Sequence, residues 1–518
     1  RLESPQSFWM RVAMGLALNE KDKEKKAFEF YEAISTFKLC PSTPTLFNSG
    51  SVRSQLSSCY LNTFDDSIDG IFEGAWQEAR KSKFAGGLGF DVTNFRSAGS
   101  HIKGTNGTSS GLVPWLKVFN DLLVAVNQGG KRPGAGCAYL EPWHLDIEEF
   151  LDLKKNTGDE RRRCHDMNTA NWIPDLFFKR VQADEDWYLF SPSDTPDLHG
   201  FCGKDFSKAY KKYCKLAEEG KIKNFKIIKA KDLWKKMLRS LFETGHPWIT
   251  FKDNANFRYS NKHEGVINSS NLCTEIFLHT KPSLFKNGEK TEIGETAVCN
   301  LSSVNLKEHL KENKKLDFKL LAKTIATQMR MLDNVIDLNF YPTKEAEKAN
   351  LSHRPVGAGT MGWADVFHSY RLDYSSDDAV KFSDELYEFL SYHCILNSSK
   401  IAKERGKYNS YDGSLWSKNT LPIDTYKELI DYLGEKPIIH RGKKYAPEVD
   451  WKFVRRHIGE HGVRNSNCMS IAPTATISYI QGCSPSIEPD FSTLFVYENK
   501  SGNLFITNEW FVRECKEL

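Results

Sequence analysis

Apolar residues recur at helical spacing from the start of the chain, where Phe8 to Leu18 is largely apolar behind Ser4 and Pro5. A serine N-cap followed by a proline in the first turn, where a missing N–H does no harm, predicts a helix there. The pattern changes between Cys40 and Gly50, where Pro, Thr, Ser and Asn surround Leu46 and Phe47, and predicts a loop and a short strand. From Phe84 to Gly136 short apolar runs alternate with glycine clusters (Ala85 to Gly89, Asn106-Gly107, Gln128 to Gly130), while Val113 to Val126 suits a helix. Strands alternating with helices predict an α/β core. Farther on, Asp317 is placed to cap a helix whose apolar face is Phe318, Leu321, Ile325, Leu332 and Ile336. Ser376 to Glu404 predicts another, ended by Gly406.

Composition narrows the class. With 40% hydrophobic and 27% charged residues over 518 positions, the chain is of the ordinary globular kind. Lys and Arg number 71 against 67 Asp and Glu, too even a balance for a dedicated nucleic-acid binder. The lysine-rich stretch Lys204 to Lys236, with Phe206, Tyr210 and Tyr213 interleaved, therefore reads as a solvated helix face. The most apolar stretch, Gly111 to Val126, is broken by Lys117, Asn120 and Asp121, so no membrane span is expected. The 12 cysteines are scattered without a C-x-x-C pair, and no H-E-x-x-H occurs. That pattern predicts no metal site and a reduced, cytoplasmic protein.

Four strings carry chemistry. In Ser270-Asn271-Leu272-Cys273-Thr274-Glu275 a thiol and a carboxylate stand two residues apart, and in an extended segment alternation would put both on one side. A carboxylate beside a cysteine disfavours the thiolate, which makes a poor ordinary nucleophile. A hydrogen-abstracting thiyl radical needs no thiolate, and the acid is then left to serve as a base. Taken alone, Cys273 would more ordinarily be a small buried hydrophobe. The strings Gln55 to Leu61 and Ala297 to Ser303 place Cys59 and Cys299 in strand-like apolar settings, far apart in the chain, where only a fold brings them together. In Ser470 to Ser478, hydroxyls and backbone N–H groups would surround a phosphate if a helix begins there, or else supply an ordinary N-cap.

These strings, in this order, resemble the active-site motifs of ribonucleotide reductase catalytic (large) subunits of the oxygen-dependent class. Pro44 to Asn48, Asp65 to Ile68, Gly129 to Gly134, Tyr139 to His144 and Arg354 to Gly357 agree, so that the likeness covers nearly the whole chain. It implies a ten-stranded α/β barrel, two parallel five-stranded halves set antiparallel, over residues 41–518, behind an N-terminal helical segment, 1–40. It implies that Cys273 becomes a transient thiyl radical, that Glu275 takes the 3′-hydroxyl proton, that Asn271 hydrogen-bonds the substrate, and that Cys59 and Cys299 are the dithiol that ends as a disulfide. Thr43, Ser58, Gly87, Leu272, Thr274 and the run Pro473, Thr474, Ala475, Thr476 and Ile477 resemble substrate contacts. Asp66, Ser67, Ile68, Arg96 and Lys103 resemble an allosteric effector site for a deoxynucleoside triphosphate or ATP. The loop Gln128, Gly129, Gly130, Lys131, Arg132, Pro133 and Gly134 would transmit the effector's choice, its glycines allowing several backbone shapes.

By the same likeness the chain holds no tightly bound cofactor. A metal-containing small subunit supplies the radical, a thioredoxin- or glutaredoxin-type protein the electrons, and the large subunit forms a homodimer. The family's C-terminal tyrosine pair and mobile cysteine pair, and its N-terminal ATP cone, do not occur here, so that a separate C-terminal chain is expected to complete the barrel, or else the sequence is incomplete. Two rivals stand beside this reading: the adenosylcobalamin-dependent class of the same family, and a nucleotide-binding dimeric fragment without turnover. Glu141 to Asp146 and Trp172 to Leu176 resemble the oxygen-dependent class more closely than the first rival.

Overall fold

The structure is a computed structural model that describes residues 3–84, 86–126, 134–435, 444–499 and 502–517. It opens with the helix Pro5–Leu16, whose N-cap Ser4 accepts from the Ser7 N–H, and continues with Lys23–Ser35, capped by Asp22. Trp9, Val12, Leu16, Phe30 and Ile34 of this pair pack in one core with Leu321, Ile325, Leu332 and Ile336 of the helix Phe318–Leu338, the stripe expected from its spacing. Glu20, in the connection between these two helices, is buried against Arg330 (2.7 Å) and Arg405 (3.0 Å), which ties the helical segment to the body. Asp317 caps Phe318–Leu338 as expected, and Ser376 caps Asp377–Arg405, which Gly406 ends.

Residues 39–50 depart from the expectation. A short strand, β1 (Leu39–Pro41), precedes a six-residue helix, Thr43–Asn48, where a loop is predicted. Pro44 explains the difference, because in the first turn its ring fixes a helical φ and its missing N–H would have had no partner.

The body is built on β2 (Cys59–Thr63), β3 (Gly87–Asp91), β4 (Gly136–Leu140), β5 (Asn168–Ile173) and β6 (Trp248–Phe251), five parallel strands side by side in the order β6-β5-β4-β3-β2. On the far side of β2 runs β7 (Ala297–Cys299), antiparallel. A second sheet pairs β8 (Leu301–Asn305) in parallel with β9 (Gly357–Met361), with β1 antiparallel beside β8 and Met469 bridged to Ala358 of β9. Among the described residues, one complete parallel five and the opening strands of a second sheet stand where the likeness implies two halves of five.

Alternation along the strands sorts the two faces. Tyr60, Leu88, Phe90, Ala138 and Leu140 pack outward with the helices, including Gly203–Glu218, whose Phe206, Tyr210 and Tyr213 point in while its lysines face solvent. Cys59, Leu61, Cys137, Tyr139, Ala170 and Trp172 point inward against Leu272, Ile276, Leu278, Cys299 and Ala472. The inner face of β3 is Gly87 and Gly89, with no side chains: a Cβ on Gly89 would collide with the Ser270 carbonyl, and one on Gly87 would come to 3.0 Å from Leu272. The glycine cluster therefore clears the path by which the segment 270–272 crosses the sheet.

At the carboxyl ends of the strands the space is closed by charge. Asp91, Glu141, His199 and Lys252 are all buried. His199 Nε2 lies 2.6 Å from Asp91, its Nδ1 2.5 Å from Glu141, and Lys252 2.8 Å from Glu141. Burial alone would depress His199, but the two carboxylates outweigh it and hold the imidazolium up to about 9.

Candidate active site

Cys59 and Cys299 are direct register partners across the antiparallel pair β2–β7. The Ser58 N–H donates to the Cys299 carbonyl (3.0 Å) and the Gly87 N–H to Ser58 (2.9 Å), so that Ser58, Cys59 and Gly87 gather at the amino ends of the strands. A Cβ on Gly87 would lie 3.3 Å from the Cys59 sulfur. Ser58 Oγ is buried and has no hydrogen-bond partner among the described residues. Burial, and Cys59 beside it, push the Cys299 thiol well up, so this sulfur keeps its proton.

The loop that carries Cys273 is shaped by its own side chains. Asn271 Oδ1 accepts from the N–H groups of Glu275 and Ile276 (both 3.0 Å), while its Nδ2 donates to Glu275 Oε2 at 2.6 Å. Ser270 Oγ closes the loop on the Ile276 carbonyl (2.6 Å), and the Tyr139 hydroxyl of β4 donates to the Asn271 carbonyl (2.6 Å). The segment is a turn, not the extended piece in which alternation would align Cys273 with Glu275. Thr274 between them has φ 68°, a left-handed conformation that costs a β-branched residue about 1–3 kcal/mol and is held by the surrounding bonds. As a result Cys273 is exposed, whereas Glu275 is half-buried. The two keep company all the same, since both lie within electrostatic reach of Cys299. Burial raises the Glu275 carboxyl and the Asn271 amide pulls it back only in part, which leaves a stronger base than a solvated glutamate.

A cavity of about 600 Å³ opens between β6, this loop and β9. Trp248, Tyr259, Glu275, Cys299, Val356 and Met469 are among its walls; Cys59 and Cys273 are not, though Cys59 pairs with the wall residue Cys299 and Cys273 precedes the wall residue Thr274. The fourth string joins here, because Ser470 Oγ donates to the Glu275 carbonyl at 3.4 Å. It leads into a helix of only four residues, Ile477–Ile480, with no side-chain cap from Thr476, so the ordinary N-cap alternative does not hold. Thr474 and Ile477 are buried, Pro473, Ala475 and Thr476 exposed, and Thr474 too has a left-handed φ, 55°. Thr43 begins its helix next to Ser42, whose N–H donates to Leu301, two residues beyond Cys299.

Apart from this site, Arg96 pairs with Asp66 (2.7 Å to Oδ2) and also donates to the Asp66 carbonyl. Ser67 caps the helix Ile68–Lys83, and Ile68 is exposed at its start. Lys103 belongs to the hairpin that Arg96 touches through the His101 carbonyl at 3.4 Å. The loop Gln128 to Pro133 lies outside the described residues, and only its last member, Gly134, is within them.

The family described as "Ribonucleotide reductase, barrel domain" matches residues 57–518, and "Ribonucleotide reductase, all-alpha domain" matches residues 1–54. The chain belongs to the ribonucleotide reductase family. A relative named "Ribonucleoside-diphosphate reductase subunit alpha" from Chlamydia trachomatis serovar D is 52% identical over the whole chain, which covers 48% of that protein. The Helicobacter pylori (strain 26695) protein of the same name is 41% identical over 97% of the chain and 67% of its own length. The "Ribonucleoside-diphosphate reductase large subunit" of Caenorhabditis elegans is 40% identical over the whole chain and 61% of its own length. The chain thus spans about half the length of the chlamydial relatives.

Reading the sequence of this ribonucleotide reductase chain missed Tyr139, which holds the loop from beneath, although it stands in one of the matched strings. It also missed a largely buried group that meets the cavity wall through Tyr259. Glu264, His279 and His353 present ligand atoms within 4.8 Å of one another, close enough for a metal. Lys281 already stands there, 3.1 Å from Glu264 and 3.3 Å from Glu295. No helix among the described residues is long and apolar enough to cross a membrane.

Proposed function

We propose that this chain carries the reducing centre of a ribonucleoside-diphosphate reductase, in which a ribose 2′-hydroxyl is replaced by hydrogen. The supporting observation is the direct cross-strand pairing of Cys59 with Cys299, with Cys299 and Glu275 on the walls of one cavity and Cys273 two residues before Glu275. On this reading a Cys273 thiyl radical takes the 3′-hydrogen, Glu275 accepts the 3′-hydroxyl proton, and Asn271 holds both Glu275 and the sugar. The C2′–O bond then breaks, and the oxygen leaves as water with a proton from the thiol pair. Cys59 and Cys299 supply two electrons in all and the hydrogen that C2′ gains, and join as a disulfide; Glu275 gives its proton back to the 3′-oxygen, and the 3′-hydrogen returns from Cys273. The balance is ribonucleotide plus dithiol to deoxyribonucleotide, disulfide and water. Ser58, Gly87 and the run Pro473 to Ile477 would hold the phosphates through hydroxyls and amides.

A separate metal-containing subunit would supply the oxidising equivalent to Cys273, and an external dithiol protein would reopen the disulfide. The Asp66–Arg96 pair, with Ser67, Ile68 and Lys103 near it, suits an effector nucleotide's ribose and phosphates. Ile68, Phe72 and Trp76 form an exposed apolar line along one helix, and Val118 and Val124 are exposed on the helix Leu112–Ala125, a face suited to a second copy of the chain. The test is nucleotide reduction with a dithiol by the chain alone, with adenosylcobalamin, and with a small subunit plus any C-terminal chain. Reduction only in the last mixture supports the proposal, reduction with adenosylcobalamin favours the rival class, and nucleotide binding without reduction in any mixture favours a regulatory fragment.

A further inference from the structure

Glu295 lies four residues before Cys299, buried behind the cavity and absent from its walls. Its Oε2 accepts from His279 Nε2 (3.1 Å) and His353 Nε2 (3.0 Å). A carboxylate can only accept, so both imidazoles carry a proton on Nε2. On the other side, Nδ1 of each ring meets a hydroxyl, that of Tyr259 or of Ser410, each at 2.6 Å. Every nitrogen of the two rings has a hydrogen-bond partner. On the other oxygen, Oε1, Lys281 (3.3 Å) and Lys348 (3.5 Å) balance the charge. Lys281 bridges Glu264 (3.1 Å) and Glu295 (3.3 Å), and the imidazoles already spend their Nε2 protons on Glu295, so the geometry is that of a hydrogen-bonded clamp.

The residues held by the clamp are those that lead into the cavity. His279 ends the loop whose residues Thr274 to Leu278 form one wall. Glu295 precedes the wall Val298 to Asn300, His353 precedes the wall Pro355 to Gly357, and Tyr259 is itself a wall. Backbone bonds between Lys281 and Glu295 (2.8 and 3.0 Å) join the first two of these segments at their base. Cys59 is tied to Cys299 independently, by strand register. We propose that Glu295, acting through His279 and His353, is a positioning residue that sets where the Cys273–Glu275 loop stands relative to Cys299. The proposal rests on the thiol roles given above, and it predicts that loosening the clamp moves Cys273 against Cys299 without disturbing the pairing of Cys59 with Cys299.

The test compares His279→Leu, which removes the donor to Glu295, with His279→Gln, whose amide nitrogen can replace Nε2. Three quantities are measured on the full chain: the yield of a Cys273–Cys299 cross-link from a short bifunctional thiol alkylator in a Cys59→Ala background, the rate at which an added disulfide reagent oxidises Cys59 and Cys299, and turnover in the complete mixture. His279→Leu is expected to lower the cross-link yield several-fold and turnover by at least about tenfold, the scale on which small misplacements cost rate. Pair oxidation should stay within about twofold of the parent, because a register contact does not depend on the clamp. His279→Gln should recover most of both losses. An unchanged cross-link in His279→Leu, equal loss of all three readouts with no rescue by His279→Gln, or one zinc per chain that Glu264→Gln removes would each overturn the clamp. Absence of turnover in the parent mixture would instead count against the proposed function, and the cross-link would still decide the clamp.

Discussion

At the carboxyl ends of the five parallel strands, Asp91, Glu141, His199 and Lys252 are buried and each has a partner of opposite charge. At the amino ends, Ser58 Oγ is equally out of reach of water yet has no partner among the described residues, two thiols face each other across a strand pair, and a glutamate stands at a cavity wall. A buried polar group left unpaired costs about 1–3 kcal/mol, and a buried charge far more. The first arrangement meets these costs within the chain and leaves nothing for a ligand to do. The second leaves donors and acceptors unspent, which is what a site that must bind and then react requires. Charge density alone would have pointed to the wrong end, and satisfaction of the groups separates structure from site.

Substitutions at the two ends should therefore fail differently. The largest effect is expected from Cys273→Ser, which should lower turnover by at least about 10³-fold, the scale seen when a central reacting group is deleted. Nucleotide affinity and the unfolding midpoint should barely move, and an active variant would remove the thiyl assignment. Glu275→Gln should cost turnover about 10²–10⁴-fold with folding intact, since the amide cannot accept a proton. At the closed end, Lys252→Met should lower unfolding stability by roughly 3–5 kcal/mol by leaving Glu141 short of its cation, an effect read by denaturant titration. If Lys252→Met instead spared stability and abolished reduction, the contrast between the ends would be wrong.

The closed end also sets a pH dependence. The folded His199 is held up to about 9, above its ordinary value of 6.5, so its contribution to stability is complete below that ordinary value and is lost as pH rises through about 9. Unfolding midpoints should decline over that window, and His199→Gln should flatten the decline. The smallest effect is expected from Ser58→Ala. Removing a hydroxyl that has no partner should leave stability nearly unchanged, while nucleotide affinity should weaken by about 1 kcal/mol if that hydroxyl meets the substrate.

What the sequence could and could not disclose follows from the range of the forces involved. The helices at Pro5, Phe318 and Asp377 were legible because their caps and apolar spacing are local. Cys59 and Cys299 were legible as residues in strands, but not as partners from local pattern, since register between distant strands is fixed by the fold. The glycines at 87 and 89 announced themselves as a cluster, while their use, making room for Ser270 and Leu272, needed the crossing segment in place. Alternation misjudged Cys273 and Glu275 because Asn271 bends the loop and Thr274 takes a left-handed φ. The His279–Glu295–His353 group left no trace, being three residues without regular spacing that meet only through tertiary structure.

The most direct test of the central claim is a single turnover without external reductant. The chain, a metal-containing small subunit of the proposed kind and any completing chain are mixed with a ribonucleoside diphosphate, stopped with acid and mapped by peptide mass spectrometry. A disulfide between Cys59 and Cys299 is expected, formed once for every deoxynucleotide produced. Deoxynucleotide formed while both of these thiols stay reduced, or a disulfide that joins other cysteines, would contradict it.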